Sequence, residues 1–202
     1  MPDINRTALV LIGFQNDYFQ TDGALAQVLE PKNIGQTVLH NTLRLIERCR
    51  STNLTIVSTP ILFTPDYSEL NEPVGILKAI KEAGAFRQGA QGAETVTEIR
   101  AWGNRILEVP GKRGLNAFSN TDLHAFLAQE GCSDVALAGV VASLCIDSTG
   151  RSAFEYGYRV TMLSDCIAGR SAFEHKFYCE KIFPLYAQVT TSQDFLESIG
   201  AA

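Results

Sequence analysis

Apolar runs and helical stripes alternate along the chain. Residues 7–12 (TALVLI) are continuously apolar up to Gly13, and residues 135–138 (VALA) repeat the pattern up to Gly139. Short unbroken runs of this kind predict central parallel strands covered on both faces. Further strands are predicted at 54–58, 105–109, 158–163 and 187–190. Between them, Ile34, Val38, Leu39, Thr42, Leu45, Ile46 and Cys49 fall on one stripe of an amphipathic helix. Helices are also predicted over 74–83, from a cap at 120–122 to near Gly131, over 142–156 and 171–185, and after Ser192. Strand–helix alternation of this order predicts an α/β protein. It should form a single domain over residues 1–202, a three-layer sandwich with an open, mostly parallel six-stranded sheet and helices on both faces.

The connections carry the chemistry. In such sheets ligands bind at the carboxyl ends of the strands, where Gly13, Lys112 and Cys145 all fall. Cys145 is predicted in the first turn of the 142–156 helix. There, unpaired N–H groups and the helix dipole favour a thiolate and can hold the oxyanion of a tetrahedral intermediate. Residues 14–23 read as a loop facing the site, and 59–73, with three prolines, as a wall or lid. Tyr18, Phe63, Tyr67 and Phe118 lie on loops at this end and are candidate substrate-binding residues. Arg87 and Arg113 are candidate carboxylate selectors, and Cys166 follows the fifth strand near the same rim. The glycine-rich stretch 84–92 lacks the spacing of a nucleotide-binding loop, so no nucleotide cofactor is expected.

Composition narrows the class. A formal net charge of −5, with acidic and basic residues scattered, predicts neither nucleic acid nor a membrane surface as partner and suits a small-molecule substrate. Five cysteines, an odd number without metal-type spacing, read as reduced thiols in a cytoplasmic protein. No stretch has the length of a membrane span or the pattern of a secretory leader.

Four segments carry a resemblance: 8–19 (ALVLIGFQNDYF), 111–123 (GKRGLNAFSNTDL), 138–149 (AGVVASLCIDST) and 157–165 (GYRVTMLSD). In this order they resemble the isochorismatase-like cysteine hydrolases, which include nicotinamidases, N-carbamoylsarcosine amidases and isochorismatases. The resemblance implies Cys145 as nucleophile, Lys112 as the cation beside it, and hydrolysis of a small amide or related C–N bond through a thioester. It also implies a cis peptide at Val140–Val141 that turns the Val141 N–H, with that of Cys145, into an oxyanion hole.

Two positions depart from the family pattern. The family's general-base aspartate falls at Gly13, and Asp17 matches a different acidic position. A general base contributes roughly 100- to 10,000-fold, so two further readings stay open: a catalytically impaired member that binds a ligand or protein, and an isochorismatase-like vinyl-ether hydrolase. The stretch where nicotinamidase-type members carry metal-binding histidines, 60–67 (PILFTPDY), has none, so no metal site is expected. The resemblance further implies a homo-oligomer, a dimer or tetramer.

Overall fold

The computed structural model describes residues 2–201. In chain order the main elements are β1 (Thr7–Ile12), α1 (Asn16–Phe19), α2 (Ile34–Arg48), β2 (Thr55–Thr59), α3 (Gly75–Ala83), α4 (Thr97–Arg100) and β3 (Leu107–Glu108). These are followed by α5 (Leu123–Gln129), β4 (Asp134–Val140), α6 (Asp147–Glu155), β5 (Arg159–Ala168), α7 (Ala172–Phe177), β6 (Gln188–Thr190) and α8 (Ser192–Ser198).

The two apolar runs form the middle of the sheet. Its order is β3-β2-β1-β4-β5-β6, and every neighbouring pair is parallel. Every residue of β1 and of β4 is buried, as expected of strands covered on both faces. The α2 stripe buries Val38, Leu39, Leu45 and Ile46 over β5 and against α8. Each such side chain contributes about 1.5–3 kcal/mol of transfer free energy. Among the described residues no helix is long and apolar enough to cross a membrane, and all five cysteines are free.

The structure corrects the sequence reading at several element ends. The 14–23 loop contains α1, where Phe14 and Phe19 stack at 5.0 Å and bury the turn. The third strand is only Leu107–Glu108, because Arg105 ends a 3₁₀ turn and donates to the carbonyl oxygens of Arg50 and Cys49. β5 continues to Ala168 past a register irregularity at Leu137/Gly139, so Cys166 lies inside the strand. Burial pushes that thiol up to about 12. The 171–185 helix is broken after Phe177 into a wide turn and a 3₁₀ turn containing Pro184, which has no N–H to continue the ladder.

Candidate active site

The sheet order places the crevice. From β1 the chain proceeds to β2 on one side, and from β4 to β5 on the other, so the carboxyl ends of β1 and β4 flank the topological switch point. Gly139 lets these two strands close up: its φ is +125°, and a Cβ there would run into the Ile12 carbonyl. Gly13 and the Cys145 turn therefore leave the sheet side by side.

Cys145 does not sit in the first turn of an α-helix. It lies in a wide, π-type turn over residues Ala142–Ile146, in which the Val141 carbonyl accepts from Leu144 N at 3.0 Å and from Ile146 N at 3.2 Å. α6 starts only at Asp147. The additional residue in this turn is the kind of local widening that recurs at functional sites. The Val140–Val141 peptide bond is cis.

Lys112 approaches from the loop after β3. It pairs with Ile61 across an isolated bridge, and its carbonyl accepts from Leu62 N at 3.1 Å. Its side chain turns inward and is fully buried. Nζ donates to the Gly114 carbonyl at 2.6 Å and to Cys145 Sγ at 3.5 Å. Burial lowers the lysine's proton affinity, and the charge of Cys145 and the hydrogen bond to it act in the opposite sense.

Tyr18 completes this group. A Cβ built on Gly13 would lie 3.5 Å from Tyr18 Cε2, and 3.0 Å from both Val140 Cγ2 and the Val140 carbonyl oxygen. The tyrosine ring therefore borders Gly13. Burial pushes the Tyr18 hydroxyl well above its ordinary value, with further contributions from Cys145 and then Asp17. On its far side the ring packs on Phe86 at 5.1 Å.

Phe63 and Tyr67 form the framework of the wall. Phe63 N donates to the Phe86 carbonyl and Gln88 N to the Phe63 carbonyl, each at 2.8 Å. The Tyr67 hydroxyl donates to Ala85 O at 2.8 Å, and its ring lies 5.6 Å from that of Phe63. Phe118 is placed elsewhere: its aromatic neighbours are Tyr156 and Tyr158, at 5.2 and 6.1 Å. It sits on the α5–α6 side because Ala117 N is anchored to Thr149 Oγ1 of α6. Arg113 is paired with Glu69 at 2.7 Å, and Arg87 is exposed.

Two residues of the first loop matter more than composition suggests. The Gln15 side chain is buried and makes three hydrogen bonds: Nε2 donates to Ile61 O and Ala93 O, both at 2.7 Å, and Oε1 accepts from Ile61 N at 2.8 Å. Asp17 is not a displaced catalytic carboxylate, because its oxygens accept from Phe86 N at 2.6 Å and Ala24 N at 3.4 Å. Two glycines make room for the Asp17 segment. A Cβ on Gly92 would collide with the Asp17 carboxylate, and one on Gly23 with the Asn16 and Asp17 carbonyls.

Among the described residues no three His, Cys, Asp or Glu side chains come together as a metal cluster. His124 bonds the Tyr158 hydroxyl at 2.9 Å, and His175 bonds Ser164 O at 2.8 Å.

Comparison with known proteins agrees with this arrangement of strands. The model of the isochorismatase domain matches residues 7–194. The chain is 29% identical to the isochorismatase family protein YddQ of Bacillus subtilis, over 95% of this chain and 99% of that protein. It is 26% identical to nicotinamidase 3 of Arabidopsis thaliana, over 83% and 75% of the two chains. The solved cysteine hydrolase of Pseudomonas syringae pv. phaseolicola superposes with a TM-score of 0.87 at 19% identity, covering 99% of this chain and 95% of that one. The chain belongs to the isochorismatase family.

Proposed function

We propose that this protein is a metal-independent cysteine hydrolase that cleaves a small amide or related C–N bond through a Cys145 thioester. The observation that carries this reading is the 3.5 Å contact between Lys112 Nζ and Cys145 Sγ, with both side chains buried at the switch point of the sheet. In a low-dielectric site an ammonium at that distance attracts a thiolate far more strongly than the same pair would be held together in water. The thiolate adds to the carbonyl carbon, and the oxyanion is received by the N–H groups of Val141 and Cys145. Collapse expels the amine, and water then releases the acid from the thioester. Kinship with a nicotinamidase supports an amide as the bond attacked, and the absence of histidine from 60–67 favours a route without metal.

A pocket lies beside the Lys112 end of the site. Cys145 is only 1% exposed. A pocket of about 670 Å³, lined by Gly111, Arg113, Gly114 and Ser148 among others, ends on the residue whose carbonyl receives Lys112.

The test combines alkylation with turnover. Cys145 should react with iodoacetamide faster at neutral pH than the other four cysteines, and ammonia release from a panel of small amides should disappear in Cys145→Ala. Ordinary alkylation together with turnover unchanged in Cys145→Ala would overturn the reading. The buried sulfur and Gly13 favour one rival, a ligand-binding member without catalysis. It predicts ligand-induced thermal stabilisation with no covalent adduct and no product.

A further inference from the structure

Gly13 removes two things from the site at once. One is a base. The other is the negative charge that would hold Lys112 as an ammonium. Lys112 is fully buried, and Nζ has two hydrogen-bond partners, the Gly114 carbonyl and the Cys145 sulfur. None of the ion pairs among the described residues involves it.

The nearby carboxylates are committed elsewhere. Asp17 of α1 accepts from the Phe86 and Ala24 amides. Glu94 pairs with Arg100 at 2.9 Å, and Glu69 with Arg113 at 2.7 Å. From α1 the other titratable group is Tyr18, whose ring borders Gly13 and whose hydroxyl is held in its neutral form by burial. From the turn after β4 the titratable group is Cys145 itself.

We infer that Lys112 is the proton acceptor for the Cys145 thiol, taking the role that a carboxylate at position 13 would have had. This rests on the hydrolase reading for its catalytic consequence but not for the proton transfer itself. A buried amine without a counter-carboxylate is disfavoured as a cation, so its neutral form is available to accept a proton. Sγ–H then gives its proton to the Nζ lone pair, leaving a thiolate and an ammonium in contact. The sulfur electron pair forms the bond to the carbonyl carbon, and the ammonium returns its proton to the nitrogen as the C–N bond breaks. The neutral amine next takes a proton from the water that attacks the thioester, and Sγ leaves carrying that proton back from Nζ. The thiol proton thus leaves with the amine, and a proton from water replaces it on the sulfur.

Arginine separates this role from that of a fixed cation, because it keeps the charge and cannot give up a proton at accessible pH. Lys112→Arg should alkylate at Cys145 within about threefold of the wild-type rate at neutral pH, yet lose about 100-fold or more in amide turnover. Lys112→Met should lose both, and small primary amines should restore turnover in the order of their basicity. A Lys112→Arg protein that turns over amides within about threefold of wild type would overturn the inference.

A measurement on the unsubstituted protein keeps the test independent of variant folding. The Lys112 Nζ and Cε resonances should report a neutral amine while Cys145 is still a thiol. An Nζ that is already fully protonated while Cys145 is a thiol would overturn the inference. If Lys112 and Cys145 share one proton but no amide is hydrolysed, the inference is supported and the hydrolase reading is the one that fails.

Discussion

The Asp17 carboxylate receives the Phe86 amide N–H at 2.6 Å, across 69 residues of sequence. That bond holds Phe86 at φ +55°, a left-handed conformation that bulky side chains seldom adopt. The fully buried Phe86 ring is thereby fixed against Tyr18. Hydrogen bonds to a charged acceptor contribute about 1.5–3 kcal/mol each, so Asp17→Ala is expected to cost about 3 kcal/mol in urea unfolding. Hydrogen exchange should quicken at the Phe86 and Gln88 amides first. A loss below about 0.5 kcal/mol would show that the loop is held by its apolar contacts alone.

Gln15 makes the complementary tie between the loop and the wall. Its amide gives two protons to carbonyls of Ile61 and Ala93 and takes one from Ile61. A carboxylate of the same shape can only accept, so Gln15→Glu should lower stability by about 3 kcal/mol or more at neutral pH. Facing two carbonyls in a buried site, the new carboxyl group is held above the ordinary glutamate range. The unfolded chain therefore releases its proton at lower pH than the folded one, and the deficit should shrink as pH falls through the folded value. Denaturant midpoints at neutral and mildly acidic pH check both parts.

How much of this was written in the sequence depends on the range of the interaction. The buried strands were legible because unbroken apolar runs closed by glycine have few alternatives, and β1 and β4 lie where the runs placed them. Lys112 and Cys145 were found through strand-end position and family resemblance, and the structure brings them together at 3.5 Å. The wide turn at Cys145 was not legible, since whether the Ile146 N–H reaches back to Val141 is a matter of backbone width and not of residue pattern. The Asp17–Phe86 tie was invisible for another reason: nothing local marks a carboxylate that will cap a loop from a distant segment. Phe118 was misplaced because an aromatic on a loop near a strand end can turn to either side. Here the Ala117–Thr149 bond turns it toward α6.

A carboxylate placed at position 13 should not raise activity. Gly13 has φ +73°, and its Cβ would lie 3.0 Å from both Val140 Cγ2 and the Val140 carbonyl oxygen. The left-handed backbone alone costs an L-residue roughly 1–2 kcal/mol. Gly13→Asp is therefore expected to lower the melting temperature by several degrees and to leave amide turnover no higher than that of the parent. A rise in turnover in Gly13→Asp would mean that Val140 and Tyr18 yield the space after all, and that the present site is a disabled version of an aspartate-dependent one.

Lys112 is expected to be kept for chemistry at the expense of stability. Burial lowers its proton affinity from the ordinary value of 10.5. Between the folded value and 10.5 the unfolded chain binds one proton more than the folded chain, so stability in this window rises with pH. Lys112→Met removes that dependence, and with it the cost of taking the lysine's amine out of water. The variant should therefore be more stable than the parent by about 1–2 kcal/mol at neutral pH, where the penalty is present. The advantage should fade as pH rises through and beyond 10.5, above which the parent's lysine is neutral in both states. Thermal melts of the two proteins at neutral and strongly alkaline pH test the sign directly. A parent more stable than Lys112→Met at neutral pH would show that the contacts with Gly114 and Cys145 outweigh desolvation.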